Sequence, residues 1–165
     1  MKKNKFLNKR YSAKTIRWWL NLFPPLFFNR IKIVKVDDDF CHIKVRIKYS
    51  IFNTNVQKSI FGGTIVSALD PFYAIMYWQT FSRMKKPMEV WIKKVDVQFK
   101  KPALSDLTIN FDITQKDITK AKEQLKENDK YEVWHEVLAY DEREDIVSIG
   151  NILVHIRNSN KLNIN

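Results

Sequence analysis

Residues 61–81 read FGGTIVSALDPFYAIMYWQTF. The stretch is too long for a strand and apolar on nearly every face, so it predicts a buried helix whose start is marked by Gly62–Gly63. Inside it stands Asp70, with Ser67, Tyr73 and Tyr77 on the same side at spacings of three or four. A buried carboxylate is costly unless it is paired or hydrogen-bonded. Two readings follow: a structural acid satisfied by a tyrosine hydroxyl or a backbone amide, or a general base or nucleophile. Pro71 has no N–H to give the Ser67 carbonyl, which predicts a kink beside the acid. At the other end, free amides and the helix dipole favour an anion or a carbonyl oxygen, and glycine lets a ligand approach the backbone.

The flanks alternate. In FCHIKVRIKY, residues 40–49, Cys41, Ile43, Val45, Ile47 and Tyr49 point one way, and His42, Lys44, Arg46 and Lys48 the other. That is a half-buried strand with a wet, basic face. Val95, Val97 and Phe99 alternate with polar residues, as do Leu107, Ile109, Phe111 and Ile113. Residues 131–140 and 146–156 read as strands around the polar turn DERED. A strand near 31–36 is expected despite a poor period. Gly150 predicts a bulge or a close approach by another group. Residues 117–128 predict an exposed helix capped by Asp117, with Ile118, Ala121 and Leu125 as its apolar stripe. Ser12 is expected to cap a helix over 13–23, with Ala13, Ile16, Trp19, Leu20 and Phe23 as its apolar face and Pro24 as its stop. An antiparallel sheet wrapped around one central helix, an α+β fold, satisfies this order.

Composition narrows the function. The 165 residues suffice for a core without staples, and one cysteine, Cys41, rules out an internal disulfide framework and fits a reducing, cytoplasmic setting. Of the net +11 charge, ten bases and no acid fall in residues 1–36, while the remainder holds 19 bases and 18 acids. An arm for anionic lipid, nucleic acid or phosphate is one reading. A coding bias toward lysine is the other, with 22 Lys against 7 Arg beside 18 Ile and 13 Asn. The apolar stretch 18–28 is too short for a transmembrane helix and is broken by Asn21 and Pro24–Pro25. Cys41, His42, His135 and His155 make no metal motif, and no nucleophile elbow, P-loop or dinucleotide fingerprint appears.

Asn55-Val-Gln-Lys58-Ser-Ile-Phe61-Gly62-Gly63, continuing to Asp70, resembles the signature of hotdog-fold thioesterases of the phenylacetate-pathway (PaaI-like) type. That signature has Asn, a Gly three residues on, then His-Gly-Gly, then an acid seven residues after the second Gly. PPL at 24–26, FKKPA at 99–103 and DPFY at 70–73 look closer to a little-characterised bacterial branch with Phe before the Gly pair. The resemblance runs from about residue 20 to 157. It implies a hotdog fold, a homodimer or tetramer with joined sheets, and sites for an acyl-CoA or acyl-carrier thioester between subunits. Coenzyme A enters there as part of the substrate, and no other cofactor is implied.

By that resemblance Gly63 supplies an oxyanion amide, Asp70 attacks or activates water, and Asn55 positions water or the thioester. Phe61, Gly62, Ser67 and Tyr73 are the accompanying candidates for substrate contact, and Lys100 and Lys101 for the CoA phosphates. Lys58 stands where the pattern has Gly, Phe61 where it has His, and Pro71 where a small hydroxyl residue often follows the acid. Gly63 and Asp70 are roughly 10 Å apart along a helix, too far for one carbonyl to meet both within one chain. The expectation is therefore an acyl-CoA thioesterase with a shared site. A non-catalytic acyl binder is the alternative, and a basic membrane-surface or nucleic-acid adaptor a second, although no nucleic-acid motif is present. The expected boundaries are a basic arm over 1–11, one domain over 12–157 and a polar tail over 158–165.

Overall fold

The computed structural model describes residues 9–86 and 88–158. Six strands form one sheet: β1 (Ile31–Val36), β2 (His42–Ile47), β3 (Met88–Phe99), β4 (Leu107–Asp112), β5 (Lys130–Tyr140) and β6 (Ile146–Asn158). Their spatial order is β1-β2-β4-β5-β6-β3, and every pair is antiparallel. The helices are α1 (Ala13–Leu22), α2 (Pro24–Phe28), α3 (Gly62–Leu69), α4 (Phe72–Arg83) and α5 (Gln115–Glu127). One face of the sheet closes over α3 and α4, where Leu69, Phe72, Met76 and Tyr77 meet Ile43, Val45, Ile109 and Ile152 in a single core. Each such side chain contributes about 1.5–3 kcal/mol through burial. This is the α+β hotdog arrangement that the sequence leads one to expect.

The central apolar run is two helices rather than one. Asp70 and Pro71 both keep right-handed helical dihedrals, yet α3 ends at Leu69 and α4 begins at Phe72. The missing proline N–H falls at this break, where the kink was expected. Gly150 lies in β6 opposite Val137. A Cβ there would stand 2.8 Å from a δ-methyl of Leu69. The close approach is therefore the end of α3 seated on the sheet, and the β5–β6 bulge lies elsewhere, at Ala139/Tyr140.

Bulges explain where alternation was hard to read. One at Ile33/Lys35 turns Val34 and Lys35 both outward and spoils the period of β1. Another at Ile92/Lys94 hides the first half of β3, which begins at Met88, well before Val95. Helix α5 starts earlier than expected, and Thr114, not Asp117, is its cap. Thr114 Oγ1 accepts from the Asp117 N–H at 3.2 Å while Asp117 Oδ2 accepts from the Thr114 N–H at 2.8 Å, a reciprocal capping box.

Ser12 does cap α1, but Pro24 starts a second helix rather than ending the helical region. Ala13 and Ile16 are buried and Leu20 packs on the core, whereas Trp19 and Phe23, expected on the same face, are exposed. Helix α1 covers the outer edge of β1. The Asn21 amide accepts from the Ile33 N–H at 2.8 Å and donates to its carbonyl at 3.1 Å, and Arg17 donates to the Val34 carbonyl at 3.2 Å. One sheet edge is thus blocked against further pairing. The other edge, β3, has no strand beside it among the described residues.

The boundary expected at residue 11 falls inside packed structure. Arg10 donates to the Ser82 carbonyl at 3.0 Å, and Arg83 donates to the Tyr11 carbonyl at 2.8 Å. The rest of the expected basic arm, through residue 8, and the tail from residue 159 lie outside the described residues.

Candidate functional site at the start of helix α3

The loop between β2 and α3 is held by two asparagines. Asn53, buried, donates to the carbonyls of Asn29 and Lys48 at 3.0 Å each, and its own carbonyl takes the Phe61 N–H at 2.8 Å. Asn55 spends its side chain on its own turn: Oδ1 accepts from the N–H groups of Gln57 and Ser59, and Nδ2 donates to Ser59 Oγ at 2.9 Å. The turn is completed by Lys58 in the left-handed region, φ 58°. That conformation suits glycine, the residue at this position in the signature that the loop resembles.

The loop delivers the chain into α3 with no side-chain cap on its first turn. The amides of Gly62 and Gly63 therefore have neither an intrahelical partner nor a capping oxygen. Phe61, half exposed, lies over this turn: a Cβ on Gly63 would stand 2.3 Å from its ring. A Cβ on Gly62 would stand 3.1 Å from the ring of Phe99. Both glycines are places where aromatic rings press on bare backbone.

Beside this turn is a cavity of about 380 Å³, whose walls include Asn55, Ser59, Gly62, Phe99, Lys100 and Lys101. It gathers four of the residues singled out from sequence: Asn55, Gly62, Lys100 and Lys101. Lys101 Nζ is held 2.7 Å from carboxylate oxygens of both Asp141 and Asp145, and those contacts raise its pKa. Lys100 is exposed and has no acid partner among the described residues. Of the two lysines, it alone is uncommitted toward a phosphate.

Asp70 departs most from its expected setting. It is exposed at the end of α3, not buried, because the break at Pro71 carries it off the core face. Nor do its expected neighbours converge on it. Ser67 Oγ donates to the Gly63 carbonyl at 2.8 Å, inside its own helix. Tyr73 is buried, stacked on His135 at a 4.3 Å ring separation and donating toward the Glu136 carbonyl, so it does not reach a substrate in this chain. Tyr77 pairs with His135 Nε2 at 3.0 Å. Burial drives the hydroxyl pKa of both tyrosines up and holds that of His135 down. These three residues form an internal polar layer under α4. The apolar run around them concealed it, and the i, i+4 pair Tyr73/Tyr77 was its only sequence trace.

Elsewhere, burial and then Asp39 push the Cys41 thiol up to about 11, which leaves it unreactive at neutral pH. His42 pairs with Asp112 at 2.7 Å across neighbouring strands. Among the described residues no group of three or more His, Cys, Asp and Glu side chains is placed to hold a metal ion, and no helix is long and apolar enough to cross a membrane.

Residues 13–156 match the family described as "Domain of unknown function (DUF4442)". The chain belongs to this family. No curated protein matches the sequence. Among solved structures, a protein of unknown function from Pseudomonas aeruginosa, described as a probable thioesterase, superposes with TM-score 0.80 at 14% identity, over 92% of this chain and 99% of that one. A thioesterase from Haemophilus influenzae superposes with TM-score 0.66 at 9% identity, over 95% and 98% of the two chains. The E. coli PaaI protein of the phenylacetic acid degradation operon does so with TM-score 0.58 at 14% identity, over 87% and 95%. This DUF4442 chain therefore has the hotdog fold that these thioesterase-like proteins share. At such identities the likeness concerns the fold.

Proposed function

We propose that the protein hydrolyses an acyl thioester, with coenzyme A or an acyl carrier as the thiol, in a site completed between two copies of the chain. The observation that carries this is the uncapped glycine turn of α3 opening beside a cavity edged by exposed Lys100, on a hotdog scaffold. In this reading the Gly62 and Gly63 amides polarise the thioester carbonyl, where charge develops in the transition state. Asp70 of a second copy takes a proton from water. The water oxygen bonds to the acyl carbon, the C–S bond breaks, and the proton passes to the departing thiolate. Support for two copies comes from the sheet: α1 blocks the β1 edge, and among the described residues no strand pairs the outer side of the twelve-residue β3.

A hydrolysis screen over acyl-CoA chain lengths tests the reading. With a substrate in hand, Asp70→Asn is expected to lower kcat by about a hundredfold or more with the fold intact. Equal turnover by wild type and Asp70→Asn would remove Asp70 from the site.

A second reading, acyl binding without turnover, is favoured by two features. Phe61 supplies no hydrogen bond where the related pattern has His, and the Asn55 amide is occupied by its own turn. An inert wild type that binds an acyl-CoA, with turnover appearing in Phe61→His, would select it.

A further inference from the structure

The far end of the molecule from β3 carries a different surface. Trp18, Trp19, Leu22, Phe23, Phe27 and Phe28 are each 44–71% exposed, all within eleven residues of α1 and α2. Trp18 and Leu22 follow Lys14 at successive intervals of four, so they share one helix face, opposite buried Ala13 and Ile16. Trp19 rests edge-on against Tyr11 and Phe27 against Phe28, yet all six stay exposed, because the buried face of α1 is already complete with Ala13 and Ile16. Exposed apolar groups gathered this densely mark an interaction surface.

Its rim is basic. Between α1 and the outward face of β1 and β2 lies an open groove of about 980 Å³, bordered by Lys14, Arg17, Lys32 and Arg46 beside Trp18 and Leu22. Arg46 is tied to Asp106 at 2.9 Å. Lys14, Lys32 and Lys48 have no carboxylate partner among the described residues. No acid occurs anywhere in the sequence before Asp37. Tryptophan, phenylalanine and leucine beside uncompensated lysine and arginine is the chemistry of a helix lying in the interface of an anionic bilayer. Rings and leucine enter the acyl boundary while the cationic heads remain among the phosphates.

We infer that the α1–α2 face docks on an anionic lipid bilayer. Charge complementarity selects this occupant. A second copy would bring two surfaces together on which bases outnumber acids. A nucleic acid would neutralise the bases but leave Leu22 and the Pro24–Pro25 corner in water. The inference is independent of the thioester site.

The test is co-sedimentation of the full chain with phosphatidylcholine vesicles, with and without about one-third phosphatidylglycerol. Wild type is expected to pellet only with the anionic vesicles and to be released as salt rises past about 0.5 M. Trp18→Ser/Phe28→Ser and Lys14→Glu/Lys32→Glu each alter only exposed side chains. Each pair is expected to weaken retention by about tenfold or more with unchanged circular dichroism. Trp18→Phe, which keeps an aromatic ring, is expected to retain binding and to lose part of the tryptophan quenching caused by brominated acyl chains. Three results would overturn the inference: no retention of wild type on anionic vesicles, equal retention of both double variants, or retention on single-stranded DNA with vesicles ignored.

Discussion

Lys58 holds a backbone conformation that suits it poorly. Its φ of 58° is imposed by the Asn55 turn, and the Tyr49 hydroxyl fixes it further by donating to the Lys58 carbonyl at 2.7 Å. A side chain in that region costs about 1–2 kcal/mol relative to glycine. Lys58→Gly is therefore expected to stabilise the protein by about 1 kcal/mol and raise Tm by about 2–4 °C, read by calorimetry. Gly150 is the opposite case. An added methyl would meet Leu69, fully buried, at 2.8 Å and Val137 at 3.2 Å. Gly150→Ala is expected to cost about 1–3 kcal/mol in urea denaturation, because neither neighbour can retreat without repacking α3. At this scale the sequence marked where backbone is closely approached but not what surrounds it. The Gly62–Gly63 turn and the close approach at Gly150 were legible. The exposure of Asp70 was not, because the apolar residues on both sides of it describe helices that are buried, while the break between them decides where one side chain points.

Among the elements, the order of strands and helices was readable wherever one face is dry. β2 shows it, with Ile43, Val45 and Ile47 buried and Lys44 and Arg46 exposed. Alternation failed where bulges place two consecutive residues on one side, as at Val34/Lys35 and Lys93/Lys94. The pair Tyr73/Tyr77 was the only local sign of the polar layer under α4, because its third member, His135, comes from a distant strand. That layer has a pH signature. Burial lowers the pKa of His135, and Asp117 opposes this only in part. As pH falls through the ordinary histidine range, near about 6.5, the unfolded chain takes up a proton that the folded chain still refuses. Stability therefore decreases with acidity between that range and the lower folded value, then levels for this group. His135→Gln keeps a hydrogen-bonding partner for the Tyr77 hydroxyl without titrating. Its urea midpoint is expected to change less between pH 7 and pH 5 than that of wild type. Equal slopes would show that the imidazole is not what titrates there.

For the whole molecule, the two sheet edges have opposite fates. Asn21 and Arg17 bond the β1 edge from α1, while among the described residues β3 has no strand on its outer side, and α3 presents its glycine turn and its acid at opposite ends. If one thioester is served by Gly63 of one copy and Asp70 of another, two inactive variants should repair each other. Asp70→Asn retains a sound glycine turn. Gly63→Val retains the acid but blocks the turn, since even a Cβ there would press on the Phe61 ring at 2.3 Å. Phe61 is half exposed and free to swing aside, so the fold is expected to survive, as circular dichroism would verify. Each variant alone is expected to be inactive. Unfolded and refolded together in equal amounts, half of the dimers are mixed, and each mixed dimer holds one intact and one doubly damaged site. Activity should return to about one quarter of wild type. If both groups act within one chain, every mixed dimer carries one lesion in each site and the refolded mixture stays inactive. Light scattering on the same samples fixes the assembly, and a monomeric, fully active wild type would end the shared-site reading outright.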